Sequence, residues 1–143
     1  KQVRGNGDFF QTITLDSHDY ADFQQGMALC TKTVLDLFGP DNVFFINLLI
    51  SITALCDCWG LTTPSLVPDI GITASSDIVA IERASLDMIK VEDLIPQGVP
   101  KGHKMGETGH LFQRLHGKDP YLQIKMLEDM GLGSQDYEIR EIK

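Results

Sequence analysis

Residues 42–75 read NVFFINLLISITALCDCWGLTTPSLVPDIGITAS, and they carry the strongest structural signal in the chain. Residues 42–52 are almost continuously apolar and rich in Val, Ile and Phe. A run that is apolar on both alternating faces is typical of a central strand covered on both sides. Residues 69–75 predict a second strand, which leads into a helix near Asp77. This alternation predicts an α/β domain: a layered sheet, mostly parallel, with helices packed on it.

A long amphipathic helix is predicted upstream of this stretch. Its apolar residues recur every three or four positions, as an apolar stripe requires: Tyr20, Phe23, Met27, Cys30, Val34 and Leu37. Asp19 can cap its start and Gly39-Pro40 ends it. Because Cys30 lies on the stripe, we interpret it as a small core residue.

Two further helices are predicted downstream. Asp77 is expected to cap the first, in which Arg83 and Asp87 have the i,i+4 spacing of an ion pair. The second opens at Asp119-Pro120 and stops at Gly131-Leu-Gly133, which is typical of a Schellman ending. Weaker patterns predict short strands at residues 9–15 and 137–142, and a mobile Gly- and Pro-containing loop at residues 96–110.

Size and charge limit the possible partners. With 143 residues and 15.9 kDa, the chain fits a single domain spanning residues 1–143. Its net charge of −8 disfavours nucleic acid and anionic membranes as partners. Apolar runs fall short of the ~20 residues that span a bilayer. Three cysteines do not make a disulfide framework, so we predict a reducing, cytoplasmic location.

Two of the three cysteines, Cys56 and Cys58, are one residue apart at the end of the predicted central strand. In an extended segment, residues i and i+2 point to the same face, so both thiolates could meet one ion. Thiolates are preferred ligands of zinc and of iron–sulfur clusters. Because two sulfurs do not complete a site, Asp69 and His110 are the candidate further metal ligands, with His103 as another possible donor. The alternative is that both cysteines are small hydrophobic residues packed under Trp59.

Three functional hypotheses follow from these residues. The first is a metal- or iron–sulfur-associated domain of a redox-related protein. The second is a non-catalytic interaction or oligomerisation module with structural cysteines. The third, ranked last, is an enzyme that uses Asp57, Asp69 or Asp87 as a general acid or base. No phosphate loop or dinucleotide fingerprint is present, so we expect no nucleotide cofactor.

Three segments together resemble domain-of-unknown-function family 362, whose members are often labelled uncharacterised iron–sulfur centre proteins. They are NLLISITALCDC, VPDIGITASSDIVAIERASLDMI and YLQIKMLEDMGLGSQDYEI. The resemblance implies that the chain is the C-terminal half of a longer protein, whose N-terminal half, or a second copy of the chain, would be its partner. The cysteine-rich insert of many members is absent here, and Ile78 stands where the family usually has Pro. The following residues match the family pattern: Cys56, Asp57, Cys58, Asp69, Gly71, Asp77, Ala80, Asp87, Gly131 and Gly133.

Overall fold

The computed structural model describes residues 17–56 and 63–142. Its elements are α1 (Ser17–Phe38), β1 (Phe45–Leu49), β2 (Gly71–Ser75), α2 (Ile78–Met88), α3 (Leu111–His116) and α4 (Leu122–Asp129). Short 3₁₀ turns lie at Pro40–Asn42, Val91–Asp93 and Pro96–Gly98. The predicted strand at residues 9–15 falls outside the described residues.

The predicted layered, mostly parallel sheet is wrong. Within the described ranges the sheet has two strands, and β1 pairs with β2 in antiparallel register, Phe45 opposite Ser75 and Leu49 opposite Gly71. The chain is therefore mostly helical with a small antiparallel sheet. A parallel pair needs a crossover connection. Here the chain doubles back instead, and the Leu66 N–H donates to the Ile52 carbonyl at 2.7 Å.

The sheet has one helix-covered face and one exposed face, which corrects the prediction that β1 is covered on both sides. On the covered face, Asn47 donates to Glu82 Oε1 at 3.0 Å and to Ser85 Oγ at 3.1 Å, both on α2. On the other face, Ile46 and Leu48 are 60% and 62% exposed. The apolar run suggested burial on both faces because residues on both of its alternating faces are apolar. In the structure one of these apolar sets, Ile46 and Leu48, faces outward.

Two small cores stabilise the described chain. In the first, Leu66, Val67, Leu111 and Leu115 are buried together between the β1–β2 connection and α3. In the second, Ala28 of α1 packs with Val79 of α2 and with Ile124 and Leu127 of α4. Helix α2 contacts both strands and α4, so it joins the sheet to the helices.

Two of the local helix signals are confirmed by the structure, whereas the predicted starts at Asp19 and Asp119-Pro120 are wrong, since α1 already includes Ser17 and α4 begins at Leu122. Asp77 caps α2 through Oδ1, which accepts from the Val79 and Ala80 N–H groups at 2.8 and 2.9 Å. Helix α4 ends in a Schellman motif, in which the Gly131 N–H donates to the Glu128 carbonyl and the Leu132 N–H to the Leu127 carbonyl. Gly131 has φ 77°, a conformation that favours glycine.

Two other expectations fail. The tail at residues 137–142 forms no strand in the structure. Much of the α1 stripe is exposed, including Phe23 and Val34, and Cys30 is also exposed rather than a core residue. The prediction that this segment is a helix is confirmed. Within the described part of the chain, however, most of the apolar side of α1 is not covered by another element. The mobility of residues 96–110 stays a prediction.

The Asp77 carboxylate also joins α2 to the segment after α4. Its Oδ2 accepts from the Ser134 N–H at 3.0 Å, and a Cβ on Gly133 would overlap its Oδ1. We therefore expect Gly133→Ala to lower the free energy of unfolding by roughly 1–3 kcal/mol, because the clash pushes the cap away.

Gly26→Ala is the matched control in a urea titration. Gly26 lies inside α1 and has open space around it, so alanine there should stabilise the protein by about 0.5–1 kcal/mol. An unchanged midpoint for Gly133→Ala would show that this close approach is not maintained in solution.

Candidate functional site

Cys56 lies at the end of the segment that follows β1. Thr53 in this segment forms an antiparallel bridge with Ser65, and the Ala54 N–H donates to Thr63 Oγ1 at 3.2 Å. These contacts hold the backbone while Ala54 is buried and Cys56 is exposed. Cys58 and Asp57 lie outside the described residues, so the convergence of the two thiolates stays a prediction.

Asp69 does not share a pocket with Cys56. Its Oδ1 accepts from the Ser51 N–H at 2.8 Å, where Ser51 has φ 49°. Asp69 lines a pocket with Lys90 and Asp93, whereas Cys56 lines a different and larger cavity. The structure thus gives the Asp69 carboxylate a backbone partner and does not bring it to the Cys56 cavity.

His110 caps α3 with its imidazole. Nδ1 accepts from the Phe112 N–H at 3.1 Å, and Nε2 lies 2.9 Å from the Leu86 carbonyl oxygen, to which it must donate. The ring also meets Tyr121 edge-on at 5.5 Å. Because both ring nitrogens have partners, a metal ion would have to displace one of them. His103 Nε2 similarly lies 2.7 Å from the Leu115 carbonyl oxygen.

His116 is a residue that the sequence reasoning missed. It is the last residue of α3, and the structure places it on the lining of the same cavity as Cys56. The i,i+4 spacing of Phe112 and His116 was a usable signal, since it places both rings on one helical face, where their centroids are 6.4 Å apart.

Burial lowers the pKa of His116, and the field of His103 acts in the same direction. A hydrogen bond to the Ala54 backbone opposes the shift, and the Lys118 charge adds to it. The net effect keeps the imidazole uncharged at neutral pH. An uncharged imidazole can coordinate a metal ion, but it contributes no positive charge to the cavity.

We call this opening the Phe112 cavity. Its volume is about 530 Å³, and its lining is mainly apolar: Phe23, Ile52, Ala54, Leu55, Phe112 and Pro120, with Tyr20, Thr53, Cys56, His116 and Lys118 as the polar members. Clefts of this size and character are typical of small-molecule sites. Lys118 is the charged residue of this lining, and the described lining contains no carboxylate.

A separate polar cluster surrounds Asp87 at the end of α2. Arg83 Nε donates to Oδ2 at 2.8 Å, which confirms the predicted i,i+4 pair. Tyr121 donates to Oδ1 at 2.7 Å and Tyr137 to Oδ2 at 2.9 Å. The Arg83 guanidinium stacks 4.6 Å above the centre of the Tyr121 ring and donates to Gln135. The cluster thus attaches the C-terminal tail to α2 and α4.

The Asp87 cluster favours a structural role over acid–base catalysis. Partial burial by itself raises the pKa of Asp87, but the hydrogen bonds from Arg83, Tyr121 and Tyr137 outweigh it and hold the pKa below its usual value. Burial and the bond to Asp87 raise the pKa of Tyr121. A carboxylate held ionised by three donors is a weak base, and its partners stay protonated.

Within residues 17–56 and 63–142, no three His, Cys, Asp or Glu side chains converge on a point where they could hold a metal ion. In the same ranges, no helix combines the length and the apolar character needed to cross a bilayer. Comparisons of the chain with protein-family models, curated proteins and solved structures found no match.

The Asp87 cluster gives a prediction about acid stability. Because its folded pKa is depressed, the stability that Asp87 contributes is complete above its unfolded pKa of about 3.9 and is lost as the pH falls through the folded value. Asp87→Asn should lower the free energy of unfolding at pH 7 by about 1–3 kcal/mol, because polar partners lose their acceptor. It should also flatten the decline of stability below about pH 5.

Urea titrations at several pH values measure both effects. Asp36→Asn is the control, since Asp36 forms an i,i+4 pair with Lys32 that is exposed on α1. Removing such a pair should cost no more than about 0.5 kcal/mol. Equal losses for the two variants would mean that the Asp87 cluster is no stronger than a surface pair.

Proposed function

We propose that this chain is an assembly domain whose apolar sheet face packs against a further portion of the same polypeptide. The observation that carries the proposal is the exposure of the outer face of β1 and β2. Ile46, Leu48 and Ile72 on this face are 60%, 62% and 68% exposed, and Phe44 and Ile50 continue it at the ends of β1. These five residues define the apolar sheet face.

An exposed apolar surface of this kind is unfavourable in an isolated protein. Burial stabilises roughly 25 cal/mol per Å² of apolar surface, and contiguous exposed patches typically mark interaction sites. The apolar sheet face contains no charged residue. Within the described residues each strand also has a neighbour on one side only, so each has an outer edge that can accept another strand.

A further portion of the same polypeptide is favoured over a second copy for two reasons. Each copy carries a net charge of −8, and like-charged copies repel one another. The resemblance to the C-terminal half of a longer family also predicts that an N-terminal half packs against this chain. An exposed face on α1 that includes Leu29, Leu37 and Phe38 is consistent with a second contact to the same body.

The first test is the mass of the native polypeptide, detected with an antiserum raised against this chain. We expect a band well above 15.9 kDa. A native band at 15.9 kDa with a dimeric mass by sedimentation would favour a second copy instead. A native band at that mass from a protein that stays monomeric would contradict both docking of a further portion of the polypeptide and docking of a second copy.

The second test compares Ile46→Asp with Ile142→Asp in the native-length polypeptide. Ile142 is 95% exposed in the tail, so the same substitution there should change the thermal midpoint little. At Ile46 it should lower the midpoint by several degrees, because a charge would enter a buried interface. In the isolated chain both variants should unfold near the parent temperature. Equal midpoints in the longer protein would remove Ile46 from an interface.

A second candidate function is the binding of a metal ion or iron–sulfur cluster by Cys56 and Cys58 in a redox-related cytoplasmic protein. What supports it is the exposed Cys56 at a cavity that also contains an uncharged imidazole, His116. The described donors at this cavity, one thiol and one imidazole, are two of the four that tetrahedral zinc needs. A site here therefore requires Cys58 or donors from the docked portion.

Metal content tests the second candidate. In anaerobically purified protein we expect Cys56→Ser and Cys58→Ser to reduce the metal content per chain at least severalfold, because serine is a poor ligand for soft metals. Cys30→Ser is the matched control, since Cys30 is exposed on α1 and should leave the content unchanged. Metal content that is negligible in the parent protein, or equal in all three variants, would argue against this role.

A further inference from the structure

The Phe112 cavity is separate from the apolar sheet face, and the chemistry of its lining is different. It lies among α1, the segment after β1 and α3, and it is lined by residues of all three. Its volume of about 530 Å³ is in the range that encloses most of a small organic ligand. The apolar sheet face, in contrast, is an open surface suited to a macromolecular partner.

The walls of the cavity favour a planar apolar ligand. Phe23 and Phe112 provide aromatic rings, and Ile52, Leu55 and Pro120 provide aliphatic surface. Aromatic side chains bind other rings in stacked or edge-on geometry, and such pairs are worth about 0.5–1.5 kcal/mol beyond their burial. Phe112 is partly buried against the first core, so its ring is held by packing rather than by a ligand.

The charge of the lining favours an anion. The chain has 20 acidic residues against 12 basic ones, yet the described lining of this cavity contains one Lys and no carboxylate. His116 does not change the net charge of the lining, because its imidazole is uncharged at neutral pH. Asp119 follows Lys118, and its backbone carbonyl accepts from the Tyr20 hydroxyl at 3.2 Å. Burial and the Asp119 charge raise the pKa of Tyr20, so its hydroxyl remains protonated.

We propose that the Phe112 cavity binds a small aromatic carboxylate, with the rings between Phe23 and Phe112 and the carboxylate paired with Lys118. The partly buried setting strengthens this pair relative to a fully exposed one, and it gives the site a preference for anions over neutral molecules of equal shape. The proposal does not depend on docking at the apolar sheet face, since that face contributes no residue to the cavity.

The test measures the affinity of the isolated chain for 2-naphthoate and for its neutral isostere 2-naphthamide by titration calorimetry. We expect naphthoate to bind at least about fivefold more tightly, which corresponds to about 1 kcal/mol. Lys118→Gln should bring the ratio close to one by weakening naphthoate only. Phe23→Ala should weaken both probes by a similar factor, because it removes ring surface and leaves the charge in place.

Two control variants locate the binding. Lys104→Gln removes an exposed Lys outside the cavity lining and should preserve the ratio. Ile46→Asp disrupts the apolar sheet face and should preserve both affinities. Thermal unfolding of each variant verifies that it is folded. Equal affinities for the two probes, an unchanged ratio in Lys118→Gln, loss of binding in Ile46→Asp, or no binding at millimolar probe would each overturn the proposal. None of these outcomes would contradict the proposal that the apolar sheet face docks against a further portion of the polypeptide.

Discussion

The Asp77 carboxylate is the contact on which the rest of the structure depends. It caps α2 through Oδ1 and accepts from the Ser134 N–H through Oδ2, so it joins the start of one helix to the segment that follows another. Near the C-terminal end of α2, the Asp87 carboxylate accepts hydrogen bonds from Arg83, Tyr121 and Tyr137, and so joins this end of the helix to α4 and the tail. With both ends held, α2 can pack on the sheet with one side and on α4 with another.

Within the described residues, the small sheet is covered by a helix on one face only. Helix α2 covers one face of a two-stranded sheet, where Asn47 and Ser85 form hydrogen bonds, and leaves the apolar sheet face exposed. Two strands with one covered face bury little apolar area, so the stability of the described chain depends on its two small cores. The proposed docking against the sheet and α1 would bury apolar residues that are exposed in the described chain.

The three described candidate ligands, Cys56, Asp69 and His110, were predicted to share one site, but they lie in three separate places. Cys56 lies at the Phe112 cavity with His116 and Lys118, whereas Asp69 holds the backbone at Ser51 and His110 caps α3. Asp77, Asp87 and Gly131 serve helix ends and their contacts, whereas Cys56 lies at a cavity.

The sequence by itself determined contacts within one or two turns of a helix: the Asp77 cap, the Arg83–Asp87 pair and the Schellman ending at Gly131. These features depend on residues three to five positions apart, so local spacing suffices to predict them. Only the tertiary structure decided that β1 and β2 run antiparallel, that Ile46 and Leu48 face outward, and that His116 and Lys118 share a cavity with Cys56. Those outcomes depend on contacts between distant segments, and a run such as residues 42–52 has the same pattern whichever of its faces is covered.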